Sequence, residues 1–242
     1  MTRKNTMSRK VIAIVVFILA GLFALSPLMV EDFGGFDPEL FPIPQVDPPV
    51  QPAGYAFAIW GVIYLWLVVG MGYGLWKRRD DARWHPMRTA LIPSLAVGAI
   101  WLVVAMNSAI WATVLIWVML ISALVALFRS PVEDRWFASL PVGLYAGWLS
   151  AASCVSLGLL LAGYGLLDAS TAALAMVFLA LVIASGVQSQ LGRAPSYGIA
   201  VIWALVAVVV QNLGVNSTVA ALAAGGALAM LMPTYKAWRA TV

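Results

Sequence analysis

Apolar residues in this chain fall into long blocks, each about as long as a hydrocarbon layer is thick, separated by short polar stretches. A helix rises about 1.5 Å per residue, so roughly 20 apolar residues cross a bilayer core. The blocks predict helices over 11–30, 55–76, 89–106, 109–128, 137–163, 171–191 and 196–212, and a last one ending near Met232. The fold class predicted is all-α, a polytopic transmembrane helix bundle of about eight spans.

The punctuation between blocks alternates in kind. All fourteen Lys and Arg residues lie in five clusters, at 3–10, 77–88, 129–135, Arg193 and 236–239. The intervening turns, at Asn107-Ser108, around Asp168 and from Asn212 to Ser217, carry no basic residue. Basic loops orient spans toward the cytoplasm. The expectation is a multi-pass protein of the cell (inner) membrane with both termini cytoplasmic. The first block is longer than a signal-peptide core of about 7–15 residues and no A-x-A-like site follows it, so an uncleaved first helix is expected. Residues 31–54 form the one long loop. They carry Glu31, Asp32, Asp37, Glu39 and Asp47, no basic residue, and six prolines from Pro38 to Pro52, which predicts an extended outer cover.

Composition narrows the function classes. With 63% hydrophobic and 10% charged residues the chain cannot clothe itself in polar surface, so lipid must be its solvent. The net charge of +4 resides in loops between spans, an orientation signal and not a nucleic-acid surface. Cys154 is the single cysteine and His85 the single histidine, which excludes an intrachain disulfide and gives no metal-ligand set. No ionisable residue falls in the middle of a predicted span, against a proton relay. No nucleophile–base pair or HExxH motif is present, so no enzymatic activity and no required cofactor are assigned.

Candidate chemistry lies in the aromatic residues. Where the proline-rich loop enters the second span, Phe57, Trp60, Gly61 and Tyr64 fall on one helical face, three rings beside a glycine notch. On the fifth span Tyr145, Trp148, Ala152 and Ser156 share a face. Such stripes could seat a neighbouring helix or line a shared cavity, and both readings stand. The GxxxG pairs Gly70/Gly74 and Gly143/Gly147 permit close helix contact, within the chain or in a homodimer. Trp84, Trp136 and Trp238, beside basic loops, suit an interfacial belt. Gln188, Gln190, Gln211 and Asn212 read as groups that hydrogen-bond between helices or sit at the interface. Near the C-terminus Leu231, Tyr235 and Arg239 fit a loose sterol-contact pattern that ordinary membrane anchoring also explains.

Pro52-Ala-Gly-Tyr55-Ala-Phe57-Ala-Ile-Trp60-Gly-Val-Ile-Tyr64 resembles the signature of the TspO/MBR family, the tryptophan-rich sensory proteins related to the mitochondrial translocator protein. Pro141-Val-Gly-Leu-Tyr145-Ala-Gly-Trp148 resembles that family's fifth-helix segment, and Asn107 to Trp111 loosely resembles its N-x-x-W-S. Ala53 and Tyr55 stand where the family pattern has proline and tryptophan. The resemblance implies a five-helix core over 1–163 and a three-helix membrane extension over 164–242. It also implies a non-enzymatic receptor or translocator in a sensory or regulatory role, binding a porphyrin or other tetrapyrrole, or a sterol-like molecule, beneath the first loop. Phe57, Trp60, Tyr64, Asn107, Trp111, Tyr145 and Trp148 would then line the ligand site, with Pro52 and Tyr55 in its lid. A structural or assembly protein, or an uncoupled small-solute facilitator, is the alternative.

Overall fold

The computed structural model describes residues 3–30 and 33–240, with no side-chain account for residues 3–6. Glu31 and Asp32, assigned above to the outer loop, lie outside the described residues, as do the side chains of Arg3 and Lys4 in the first basic cluster. The described chain is helical: α1 Arg3–Leu25, α2 Ile59–Lys77, α3 His85–Ala105, α4 Ala109–Phe128, α5 Ser139–Gly163, α6 Ala169–Leu191, α7 Ser196–Asn212 and α8 Ser217–Arg239. Among the described residues seven segments are long and apolar enough to cross a membrane. α7 is shorter at 17 residues. It nevertheless joins both ends of the bundle: Ser196 Oγ donates to Leu140 O at the start of α5 (2.7 Å), and Asn212 Nδ2 donates to Pro49 O in the long loop (2.9 Å).

α5 is the axis. It packs on α4, α6, α7 and, more lightly, α2, while α1 packs on α2 and α3, and α8 closes against α6 and α7. Every residue from Ser139 to Ser150 is buried. The sequence permits this because small residues let neighbouring backbones approach. A Cβ on Gly147 would run into the backbone carbonyl of Tyr197 on α7. The GxxxG pair of α5 is thus spent on packing within the chain. Of the three last helices, α6 and α7 are built onto α5 directly, and α8 joins through them.

Element ends differ from the sequence reading where proline or loop docking intervenes. α1 gives way at Ser26-Pro27 to a short 3-10 turn, Ser26–Met29, and α2 is preceded by another, Gly54–Ala58. α3 begins at His85, so Arg88 stands inside the helix and is buried, donating to Gly74 O (2.6 Å) and Arg78 O (3.1 Å). Trp84 is no belt residue. It is fully buried and its Nε1 donates to Asp134 (3.0 Å). The cause is that the α2–α3 and α4–α5 loops fold onto one another. Arg78 Nε meets Asp134 at 2.7 Å, Tyr73 Oη donates to the same carboxylate at 2.9 Å, and Arg83 bridges Asp81 and Glu133. The Arg78 hydrogen bonds, aided by those from Trp84 and Tyr73, hold the Asp134 carboxyl below the usual range although burial opposes them. Trp136 and Trp238 are exposed at this end, as an interfacial belt requires.

Candidate functional site

At the opposite end the long loop folds down onto the bundle. Its later half is sewn to α5 and α7. Ile43 N donates to Gly163 O (2.9 Å), Ala53 N to Ala207 O (3.1 Å), and Trp203 Nε1 on α7 to Ala56 O (3.0 Å). Val50 enters α5 at Gly158, where a Cβ would stand 2.9 Å from its methyl group. Asp37 caps the short turn Pro38–Leu40 by accepting from Glu39 N. The loop is therefore a docked cover of turns, with Phe33, Phe36 and Phe41 directed into the protein's aromatic packing.

Beneath it the rings form one continuous group. Trp60 and Tyr64, one turn apart on α2, stack at 5.3 Å between centroids. Phe23 of α1 packs edge-on against Trp60 (5.8 Å) and Tyr64 (4.9 Å) and lies 5.5 Å from Tyr145. Trp148 meets Trp60 (6.2 Å) and Phe57 (5.9 Å); Phe33 meets Phe57 (6.4 Å) and Trp101 (5.4 Å). The glycine notch belongs to α3: a Cβ on Gly98 would stand 2.7 Å from the Phe23 ring. Gly61, by contrast, is exposed with open space around it, because the phase of α2 turns it toward lipid.

Two voids interrupt this packing. One, of about 70 Å³, lies under Pro52 among Phe33, Phe57, Trp101, Trp148 and Cys154. The other, of about 130 Å³, lies among Phe23, Phe33, Phe57, Trp60, Tyr64 and Trp101. Phe33, Phe57, Trp101 and Ile116 border both, so three rings and one aliphatic side chain stand between the two spaces. The polar groups around it are mostly satisfied. Tyr145 Oη and Ser94 Oγ share a hydrogen bond of 2.8 Å, and Trp101 Nε1 donates to Ala112 O at 2.8 Å. Trp148 Nε1 is the exception. Among the described residues only it and His85 Nδ1 are buried without a partner, and His85 is half-exposed at the start of α3 whereas Trp148 is 2% exposed. A buried N–H left unmatched costs about 1–3 kcal/mol, which a ligand acceptor could recover.

Of the residues singled out from sequence, Phe57, Trp60, Tyr64, Tyr145 and Trp148 come together here. Tyr145 is fully buried and borders neither void. Pro52 walls the smaller void, while Tyr55 sits outside it, packed edge-on to Trp203 at 5.5 Å. Asn107 and Trp111 do not join. Asn107 Nδ2 turns back to Val103 O (2.7 Å), and Trp111 is 64% exposed. The tight turn at Ser108, which caps α4 by accepting from Trp111 N, resets the helical phase and sends that indole outward. Trp101, one helix earlier, takes the inner position. Sequence reasoning also missed Phe33 and Phe36, although aromatic residues in an acidic, proline-rich loop have no favourable place in water and so had to be buried.

Residues 42–235 match the family model described as TSPO-like protein, and the match runs through α6, α7 and most of α8. No curated protein and no solved structure matches the chain.

Proposed function

The chain belongs to the TSPO-like protein family, and on that premise we propose that this integral membrane protein is a receptor for an apolar aromatic ligand, held beneath the 33–57 loop in a sensory or regulatory role. The observation that carries the reading is the coincidence of an unmatched, buried Trp148 Nε1 with aromatic-walled voids at the same place. Stacking and dispersion from the rings would supply affinity, and the indole N–H would orient a ligand carrying one acceptor. The reading assigns no chemical step and no required cofactor. By the positive-inside rule the Asp134 end faces the cytoplasm and the loop end faces outward, with both termini cytoplasmic.

A tetrapyrrole is the ligand class the family resemblance offers. Voids of about 70 and 130 Å³ are each well below the roughly 300 Å³ of a drug-sized site. A tetrapyrrole would enter only by parting Phe33, Phe57 and Trp101 and joining the two spaces. The test is a titration of the purified protein with protoporphyrin, followed by tryptophan fluorescence. Saturable quenching that weakens in Trp60→Phe plus Trp148→Phe supports the site; affinity unchanged in that variant places any ligand elsewhere.

The small volumes also favour a second reading, in which the rings only pack helices and the protein serves assembly. That reading expects no saturable ligand and loss of folding, rather than of binding, in Trp60→Ala.

A further inference from the structure

A groove on the lipid-facing side, bordered by none of the rings that line the two voids, opens between α2 and α7. α2 packs on α1 and α5, and α7 packs on α5 and α8. Between α2 and α7, over α5, a groove of about 220 Å³ remains. Val62, Leu140, Leu144 and Ile199 make its apolar interior, and the exposure of Val62 (53%) and Ile199 (47%) opens it to the bilayer. At the basic end its mouth is formed by Arg135, Trp136 and Trp238. Trp66 Nε1 donates to Trp136 O (2.7 Å) and so ties the loop that carries Arg135 to α2.

The arginine distinguishes this groove from an ordinary gap between helices. Arg78, Arg88 and Arg193 are likewise withdrawn from full exposure, and each is matched. Arg78 pairs with Asp134, Arg88 reaches the Gly74 and Arg78 carbonyls, and Arg193 reaches Ser130 Oγ and neighbouring carbonyls. Arg135 is half-buried, and its guanidinium has no hydrogen bond or ion pair among the described residues. The two carboxylates beside it in sequence are engaged elsewhere, Glu133 by Arg83 and Asp134 by Arg78. A cation without a counter-charge, two indoles at interfacial depth and an apolar slot running at least one helical turn from Leu140 to Leu144 together match an anionic amphiphile.

We propose that this groove binds an anionic phospholipid, its phosphate at Arg135 and one acyl chain laid along Val62, Leu144 and Ile199. A basic side chain near a membrane surface favours anionic lipid by an amount equivalent to about fivefold in occupancy. The full chain is reconstituted in phosphatidylcholine vesicles, and quenching of its tryptophans by brominated phosphatidylglycerol is compared with that by brominated phosphatidylcholine of the same chains. The expected result is an association ratio of about five for the anionic lipid, falling to about one in Arg135→Gln and retained in Arg135→Lys. Ile199→Phe, which fills the interior from a lipid-exposed position, should remove the preference independently of charge. A ratio near one in the unaltered protein, or a preference that survives Arg135→Gln or Ile199→Phe, overturns the proposal.

Discussion

The two ends of α2 and α5 are packed by opposite means. At the basic end polar groups converge on Asp134, which accepts from Arg78, Tyr73 and Trp84 at distances from 2.7 to 3.1 Å. At the loop end aromatic rings converge, voids remain, and Trp148 Nε1 finds no acceptor among the described residues. A part-buried charged network beside a membrane is stable only when its members are satisfied, since each unmatched group is costly there. Ring packing has no such all-or-none demand, because each contact contributes little and a gap forfeits only its own share. A gap is therefore tolerated at the loop end, where it would not be at the basic end.

Breaking the basic end should have the largest effect. Asp134→Ala leaves Arg78, Tyr73 and the buried Trp84 N–H without their acceptor, and it places alanine at a φ of 51° that disfavours side chains. The expected loss is about 1–3 kcal/mol, mostly from the buried Trp84 N–H left without an acceptor, since Arg78 keeps 35% side-chain exposure and stays solvated. Thermal unfolding in detergent reads it directly. Asp134→Asn tolerates the left-handed backbone and keeps one acceptor, so it should lose less. Because the Asp134 carboxyl is held below its ordinary value, the stabilisation it gives is fully present above about pH 3.9 and is lost as pH falls through the lowered value. An unfolding temperature measured across that window should fall with pH in the unaltered protein and change less in Asp134→Asn.

At the loop end the effects on stability should be no greater and those on binding larger. Gly98→Val forces a side chain against the Phe23 ring and should cost about 1–3 kcal/mol, with the larger void reshaped. Trp148→Phe removes the unmatched donor along with part of the ring, two terms of opposite sign, so its unfolding temperature should stay close to that of the unaltered protein. The same variant should bind an acceptor-bearing ligand roughly tenfold more weakly in a fluorescence titration. Smallest of all, Asn107→Ala and Trp111→Phe should shift stability by no more than about 0.5 kcal/mol and leave binding unchanged, since both side chains face outward. A large binding loss in either would contradict a ligand site confined to the inward-facing rings.

The bundle was legible in the sequence because apolar block length is dictated by the bilayer and is local along the chain. Helix identity followed from the blocks, and the stripes marked Phe57, Trp60 and Tyr64 on one helix and Tyr145 and Trp148 on another, whereas only the family resemblance placed them together and the burial of α5 was not foreseen. What was not legible depended on contacts between distant segments. Trp84 reads as a belt residue until the loop carrying Asp134 folds onto it. Gly61 reads as a notch until the phase of α2 is fixed by Phe23 on one side, and the true notch is Gly98, 75 residues after Phe23 and silent in any helical-wheel view of α2. Arg135 looks like one more orientation signal in a basic cluster, and only the pairing of its neighbours sets it apart.

The most direct measurement compares two nearly isosteric ligands, fluorenone and fluorene, which differ in a single carbonyl acceptor, by calorimetric titration of the unaltered protein and of Trp148→Phe in the same micelles. Binding of fluorenone about tenfold tighter than fluorene, with the difference abolished in Trp148→Phe, is the predicted result. Equal affinities in the unaltered protein, or a fluorenone preference that persists without the indole, would contradict a ligand site built on Trp148.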